Sequence, residues 1–186
     1  MGQKQAAYDN TGAIVAFYDT VDSPAPAGAT VLNITDAQWQ AAISTQGYTV
    51  VNGVLTPPAP PTDAELLAAA QAAQKAAIDA EYAAAVQQNV AFKSAAGVTQ
   101  TFQADTDSQT ILSQATQGYV MAGAVPQNFF WKAADNTLVA FTLADLQGLY
   151  LAMLSQGWEA FQKRASFKAE IDAATTVDAV IAVVWA

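Results

Sequence analysis

The sequence predicts an α+β protein built as two small units, and three observations carry that prediction. Short stretches with strand-like alternation are interleaved with segments whose apolar residues recur at helical spacing. The run Pro57-Pro58-Ala59-Pro60-Pro61 cuts the chain, because proline neither continues a helix nor donates to a ladder. A stretch rich in alanine, with neither glycine nor proline, follows it from Asp63 to Ala95 and reads as one long helix. The expected layout is an N-terminal ββαββ-like unit over 1–56 and a stiff linker over 57–61. The long helix takes 62–96, and an antiparallel sheet covered by helices takes 97–186.

In the first unit, Asp9-Asn10-Thr11-Gly12 is a turn signal before the β-prone run Ala13 to Tyr18. Pro24, Pro26 and Gly28 mark a loop before Thr30-Val31-Leu32-Asn33. Thr35 with Gln38 has capping-box form and opens a short helix, with Trp39, Ala42 and Ile43 spaced to face inward. Tyr48 to Val51 and Val54 to Thr56 flank Asn52-Gly53, two residues that tolerate positive φ, so a hairpin is expected there.

Thr62 and Glu65 form a second capping box. The helix they open, if it ran to Ala95, would be about 50 Å long at 1.5 Å per residue. Leu66, Ala70, Ala73, Ala77, Ala80 and Ala84 make a stripe of small side chains, and Ile78, Tyr82, Val86 and Val90 a larger apolar face. The second face is expected to pack on the following domain and the first to protrude or meet another chain.

Val98 to Ala104 reads as a strand. Thr106-Asp107-Ser108-Gln109 opens a helix presenting Ile111, Leu112, Ala115 and Tyr119, with Gly118 costing it about 1 kcal/mol relative to alanine. Pro126 follows, and Asp135-Asn136 is a turn between Phe129–Ala133 and Thr137–Phe141. Thr142 and Asp145 cap a long helix whose inner face is Leu146, Leu149, Tyr150, Met153, Phe161 and Ala165, widened by Leu154 and Trp158. A last short helix opens at Thr175 or Thr176 and presents Val177, Val180, Ile181 and Val184.

Composition narrows function mainly by exclusion. The net charge is −9, with seven Lys and Arg among 186 residues, which opposes binding to nucleic acid. Cysteine and histidine are both absent. Their absence removes thiolate chemistry, disulfides, thiol zinc sites and histidine general bases. Asp105-Thr106-Asp107 has the opening of a calcium loop, but the spacing fails at Gln109 and Thr110, and helix capping is the better reading. Glu159, Glu170, Asp172 and Asp178 read as solvated helix faces, and Lys163, Arg164 and Lys168 as partners for the helix dipole and nearby acids. Met1 to Gln5 lacks the apolar core of a signal peptide. The apolar run Ala179 to Ala186 is far too short to span a bilayer. The expectation is a non-enzymatic protein with no cofactor, no metal, no nucleic acid and no membrane partner.

The order of elements resembles that of bacteriophage tail-fibre assembly proteins. In the N-terminal half the likeness lies in Gly12 to Tyr18, Trp39 and Asn52-Gly53, followed by a proline-rich joint and an alanine-rich helix. In the C-terminal half it lies in Phe102-Gln103-Ala104-Asp105, Ser108, Trp131, Ala134-Asp135-Asn136 and Leu146. This part resembles a C-terminal domain common in phage tail proteins. The resemblance implies a chaperone or accessory protein that binds a tail-fibre or other tail protein and aids its folding and trimerisation. It implies action in the host cytoplasm during assembly, in some cases with retention in the virion tail, and no catalytic residues. The competing expectation is a permanent structural adaptor of the tail or baseplate. Candidate protein-binding residues are Leu66, Ala70, Ala73 and Ala77 on the small-residue stripe, which would also serve a homo-oligomer, and Trp185 near the chain end.

Overall fold

The computed structural model describes residues 2–185, and the chain is α+β. It divides into two compact units, Met1–Pro61 and Thr62–Ala186.

Unit 1 contains β1 (Lys4–Tyr8), β2 (Ile14–Asp19), β3 (Val31–Ile34), α1 (Asp36–Ser44), β4 (Thr49–Val51) and β5 (Val54–Thr56). Strands β2, β1 and β3 form an antiparallel sheet in that order, and β4 and β5 form a hairpin. The central strand β1 was missing from the expected ββαββ pattern, because Lys-Gln-Ala-Ala-Tyr has little β propensity. It is paired on both sides, and its alanines Ala6 and Ala7 are buried. The core gathers Ala6, Ile34, Ala42, Val50 and Leu55, with Trp39 packed against it. Ile43, expected inward, is exposed. The capping box of Thr35 and Gln38 forms as read.

Asn52 and Gly53 both adopt positive φ (52° and 76°), as a tight hairpin turn requires. Gly12 is fixed more firmly still. Its φ is +85°, and a Cβ there would lie 2.3 Å from the Val50 carbonyl oxygen, while the Val50 N–H donates to the Gly12 oxygen at 2.8 Å. This close approach joins the β4–β5 hairpin to the turn before β2. Gly12→Ala is expected to destabilise unit 1 by about 3 kcal/mol, through the left-handed backbone and the overlap together. Urea unfolding followed through Trp39 checks it, and an unchanged midpoint would contradict the contact.

Unit 2 contains α2 (Asp63–Ala85), β6 (Val90–Lys93), β7 (Thr99–Phe102), α3 (Thr106–Ala122), β8 (Phe130–Lys132), β9 (Leu138–Ala140), α4 (Leu143–Ala173) and α5 (Val177–Ile181). β6–β7 and β8–β9 are antiparallel hairpins, linked where the Ala134 N–H donates to the Thr101 oxygen at 2.8 Å. The alanine-rich helix is therefore shorter than the expected 62–96. It stops at Ala85, and Val90 belongs to a strand. The boundary at 97 moves with it, since α2 and β6 are integral to unit 2. The stop comes from neighbouring elements. The Gln156 side chain donates to the Ala85 and Gln88 oxygens, and Gln109 donates to the Val86 oxygen, so the free carbonyls of the helix end find donors on α4 and α3. Gln71 does the same for the end of α4, donating to the Ile171 and Ala174 oxygens.

One core holds Phe102, Leu112, Val139, Leu146 and Leu149, with the rings of Phe92, Phe102 and Phe141 meeting at centroid separations of 5.2–6.4 Å. A second forms where Ile78, Ile171 and Val180 join α2, α4 and α5. Arg164 and Lys168 both pair with Asp79, and Lys75 pairs with Asp172, across the α2–α4 seam. These contacts hold the Asp79 carboxyl below its ordinary range, the hydrogen bond from Arg164 first.

Asp105 is the N-cap of α3, one residue before the Thr106 start read from sequence, and its carboxylate accepts from the Ser108 N–H and hydroxyl. The Thr142–Asp145 capping box forms as expected. Gly148 lies where a Cβ would be 2.9 Å from the Phe92 ring, whereas nothing approaches Gly118. Gly118→Ala is therefore expected to stabilise unit 2 by up to about 1 kcal/mol. Gly148→Ala is expected to destabilise it by about 1–2 kcal/mol, because the packed ring cannot yield. Thermal melts of the two variants should shift in opposite directions.

Candidate functional site

Unit 2 carries an open groove of about 680 Å³. Tyr82 and Val86 of α2 form one wall, Gln109 of α3 closes an end, and α4 supplies Tyr150, Met153, Leu154, Gly157, Trp158 and Phe161. Each position follows from local structure. Tyr82 and Val86 lie at the α2 C-terminus, on the side turned toward α4 by burial of Ile78. Gln109 is held by its bonds to the Val86 and Ala104 oxygens at 2.8 and 2.6 Å. Gly157 leaves the floor low, with nothing within 4 Å of where its Cβ would be. The guanidinium of Arg164 lies 5.0 Å from the Tyr82 ring centre, which fixes that ring at the margin.

Trp158 and Phe161 stack with centroids 5.5 Å apart and planes 19° from parallel. They are 58% and 45% exposed, which corrects the expectation that both face inward with Ala165. The inward face of α4 runs instead through Leu146, Leu149, Met153, Ala160 and Ile171. The lining holds no carboxylate, lysine or arginine. Its polar side-chain groups are the Gln109 amide, whose NH2 already donates to two carbonyls, two tyrosine hydroxyls and the Trp158 indole N–H. A site of this kind offers apolar area and aromatic faces to a partner.

The structure places the candidate residues of the small-residue stripe in two settings. Ala70 packs against the Ile78–Ile171–Val180 cluster, while Leu66, Ala73 and Ala77 are exposed. The side of α2 that packs is offset from the expected stripe and runs through Leu67, Gln71, Gln74 and Ile78. Trp185 is tied down within the chain: its ring meets Phe167 edge-on at 5.7 Å, and the Lys163 ammonium lies 5.0 Å above it. Trp131 packs at the edge of the main core. Sequence reasoning placed Trp158 inside and passed over Gly157. The overlooked signal was the spacing of Leu151, Leu154, Trp158 and Phe161, a second apolar stripe beside the buried one.

Among the described residues, no three His, Cys, Asp or Glu side chains gather as a metal site, and no helix is long and apolar enough to cross a membrane. No curated protein and no solved structure matches the chain. Residues 69–184 match a family described as a domain of unknown function, DUF4376. The match covers more than half of the chain, from the second turn of α2 through α5, and includes all nine residues that line the groove. The chain belongs to the DUF4376 family.

Proposed function

We propose that this chain is a non-enzymatic accessory protein of bacteriophage tail assembly, a chaperone that binds a tail-fibre or related tail protein while the fibre folds and trimerises. The observation that carries the protein-binding part is the uncharged, aromatic-lined face of α4: soluble proteins keep such patches for contacts with other molecules. The tail context rests on the resemblance in element order and motifs, from Gly12-to-Tyr18 through the proline joint to Phe102-to-Asp105. The absence of carboxylates, lysine and arginine from the groove's lining and of cysteine and histidine from the chain favours binding over catalysis. The second reading is a permanent structural adaptor of the tail or baseplate.

Co-expression with the C-terminal segment of a cognate tail fibre tests the proposal. Soluble, trimeric fibre is expected only when the chain is present. Equal yields of soluble trimer with and without it would sink the chaperone reading. Stoichiometric recovery of the chain in purified particles would replace it with the adaptor.

A further inference from the structure

We infer that the cleft where β8 parts from β7 is a binding site for one ring of a neutral saccharide. The cleft measures about 270 Å³ and is lined by Gln103, Ser108 and Ile111 on one side and by Phe130, Trp131 and Lys132 on the other. It shares no residue with the α4 groove. Three consecutive residues of β8 line it, although neighbouring side chains of a strand point to opposite faces, so the cleft meets β8 along its edge. β9 does not use that edge. The Ala133 N–H donates to the Thr137 oxygen and the Phe141 N–H to the Phe129 oxygen. Phe129, Trp131 and Ala133 therefore bond to β9, and the N–H and C=O groups of Phe130 and Lys132 turn the other way. β7 reaches this edge at the Ala134–Thr101 bond, and among the described residues it makes no further backbone bond there.

Side chains add to these backbone groups. Among the described residues, the Gln103 amide, the Trp131 indole N–H and the Lys132 ammonium make no hydrogen bond and no ion pair. The Ser108 hydroxyl donates to Asp105 at 2.7 Å, which leaves its oxygen to accept. Three features select the ligand. The first is charge. Lys132 borders the cleft on β8, while Asp105 and Asp107 stand beside Ser108 at the start of α3. An ion of either sign is attracted by one side and opposed by the other, and a neutral ligand meets neither cost. The second is hydrogen bonding. Free donors stand beside free acceptors here, and a sugar hydroxyl does both. The third is shape. The volume falls below the range of about 300–1,000 Å³ usual for drug-sized ligands. The Ala134–Thr101 bond closes one end, so an extended polypeptide running along the edge meets a stop. A pyranose ring is compact. Its C–H face covers apolar side chains such as Phe130 and Ile111, which are exposed, while its rim of hydroxyls reaches the polar groups.

NMR titration of the isotope-labelled full chain with methyl glycosides of glucose, galactose, mannose and N-acetylglucosamine tests the inference. At least one of them is expected to shift the Gln103 side-chain, Trp131 indole and Lys132 backbone resonances saturably, with a dissociation constant on the order of millimolar. Gln103→Ala and Lys132→Ala, both exposed in the wild type, are expected to fold normally and to weaken binding about fivefold each. Leu154→Glu, in the α4 groove, is expected to bind as the wild type does. No shift from any of these glycosides overturns the inference. So does a shift that survives Gln103→Ala and Lys132→Ala together, which places the sugar elsewhere. A response to methyl glucuronide alone overturns it by making the ligand an anion. Shifts produced at these residues by the fibre's C-terminal segment, and by none of the sugars, overturn it in favour of a polypeptide. Fibre co-expression reads the tail-assembly function separately, and neither result decides the other.

Discussion

Phe102→Ala is expected to cost unit 2 about 4 kcal/mol, a large fraction of the stability of a domain this size. Phe102 is 1% exposed and is the largest of the fully buried side chains. Its ring lies 5.2 Å from Phe141 and 6.4 Å from Phe92. Removing it deletes apolar contact and leaves a cavity between the two hairpins, with further loss from the aromatic pairs, each worth roughly 0.5–1.5 kcal/mol. The neighbours cannot close the gap easily, because Phe92 is wedged against Gly148 and Phe141 lies one residue before the α4 cap. Urea unfolding followed by far-ultraviolet circular dichroism measures the loss. A change below about 1 kcal/mol would show that Phe102 is not the centre of this core.

Asp145→Ala is expected to cost about 2 kcal/mol, from a lost capping-box partner and an Ala95 amide left without its acceptor. One carboxylate oxygen accepts from the Thr142 N–H at 2.8 Å and its hydroxyl at 2.7 Å, and the other accepts from the Ala95 N–H at 2.6 Å. Asp145 thus caps its own helix and pins the turn between β6 and β7 to it. Its side chain is buried. Burial pushes its pKa up, but the donors from Thr142 and Ala95 outweigh that and hold it below the ordinary carboxylate value. A carboxyl whose pKa is lowered by folding stabilises the fold fully above its unfolded pKa, near 4, and loses that contribution as pH falls through the folded value. Asp145→Asn should therefore be less stable than wild type at neutral pH, with the gap narrowing in acid. A gap that is the same at pH 7 and pH 3, or absent at both, would remove Asp145 from this role.

The elements legible in the sequence are those whose determinants lie within a few residues. Asn52-Gly53 and Asp135-Asn136 specify turns because their backbones tolerate positive φ. Thr35, Thr62 and Thr142 specify helix starts because each carries its capping partner three residues on. The prolines from 57 to 61 mark the boundary between the units for the same local reason. The fold class and the absence of cysteine and histidine chemistry followed from such signals and from composition.

What remained hidden depends on residues far apart in the chain. Alanine favours a helix but marks neither its end nor the full width of its packed side: the Ile78 face was legible and Ile78 is buried, whereas the end of α2 is not written in Asp63 to Ala95. Ile171 and Val180 choose the side, and Gln156, Gln109 and the pairing of β6 with β7 set the end. The alternatives differ by only tenths of a kcal/mol per residue in helix propensity, and burial of Phe92 beside Phe102 and Phe141 outweighs that difference. Along α4 the sequence offered two overlapping apolar stripes that periodicity could not rank. The sequence by itself determined caps, turns, the proline boundary and the α+β class, because each is decided by local backbone chemistry. Only the tertiary structure decided which stripe of α4 fills the core and which, carrying Trp158 and Phe161, faces outward, because that choice is made by the volume the other elements leave to be filled.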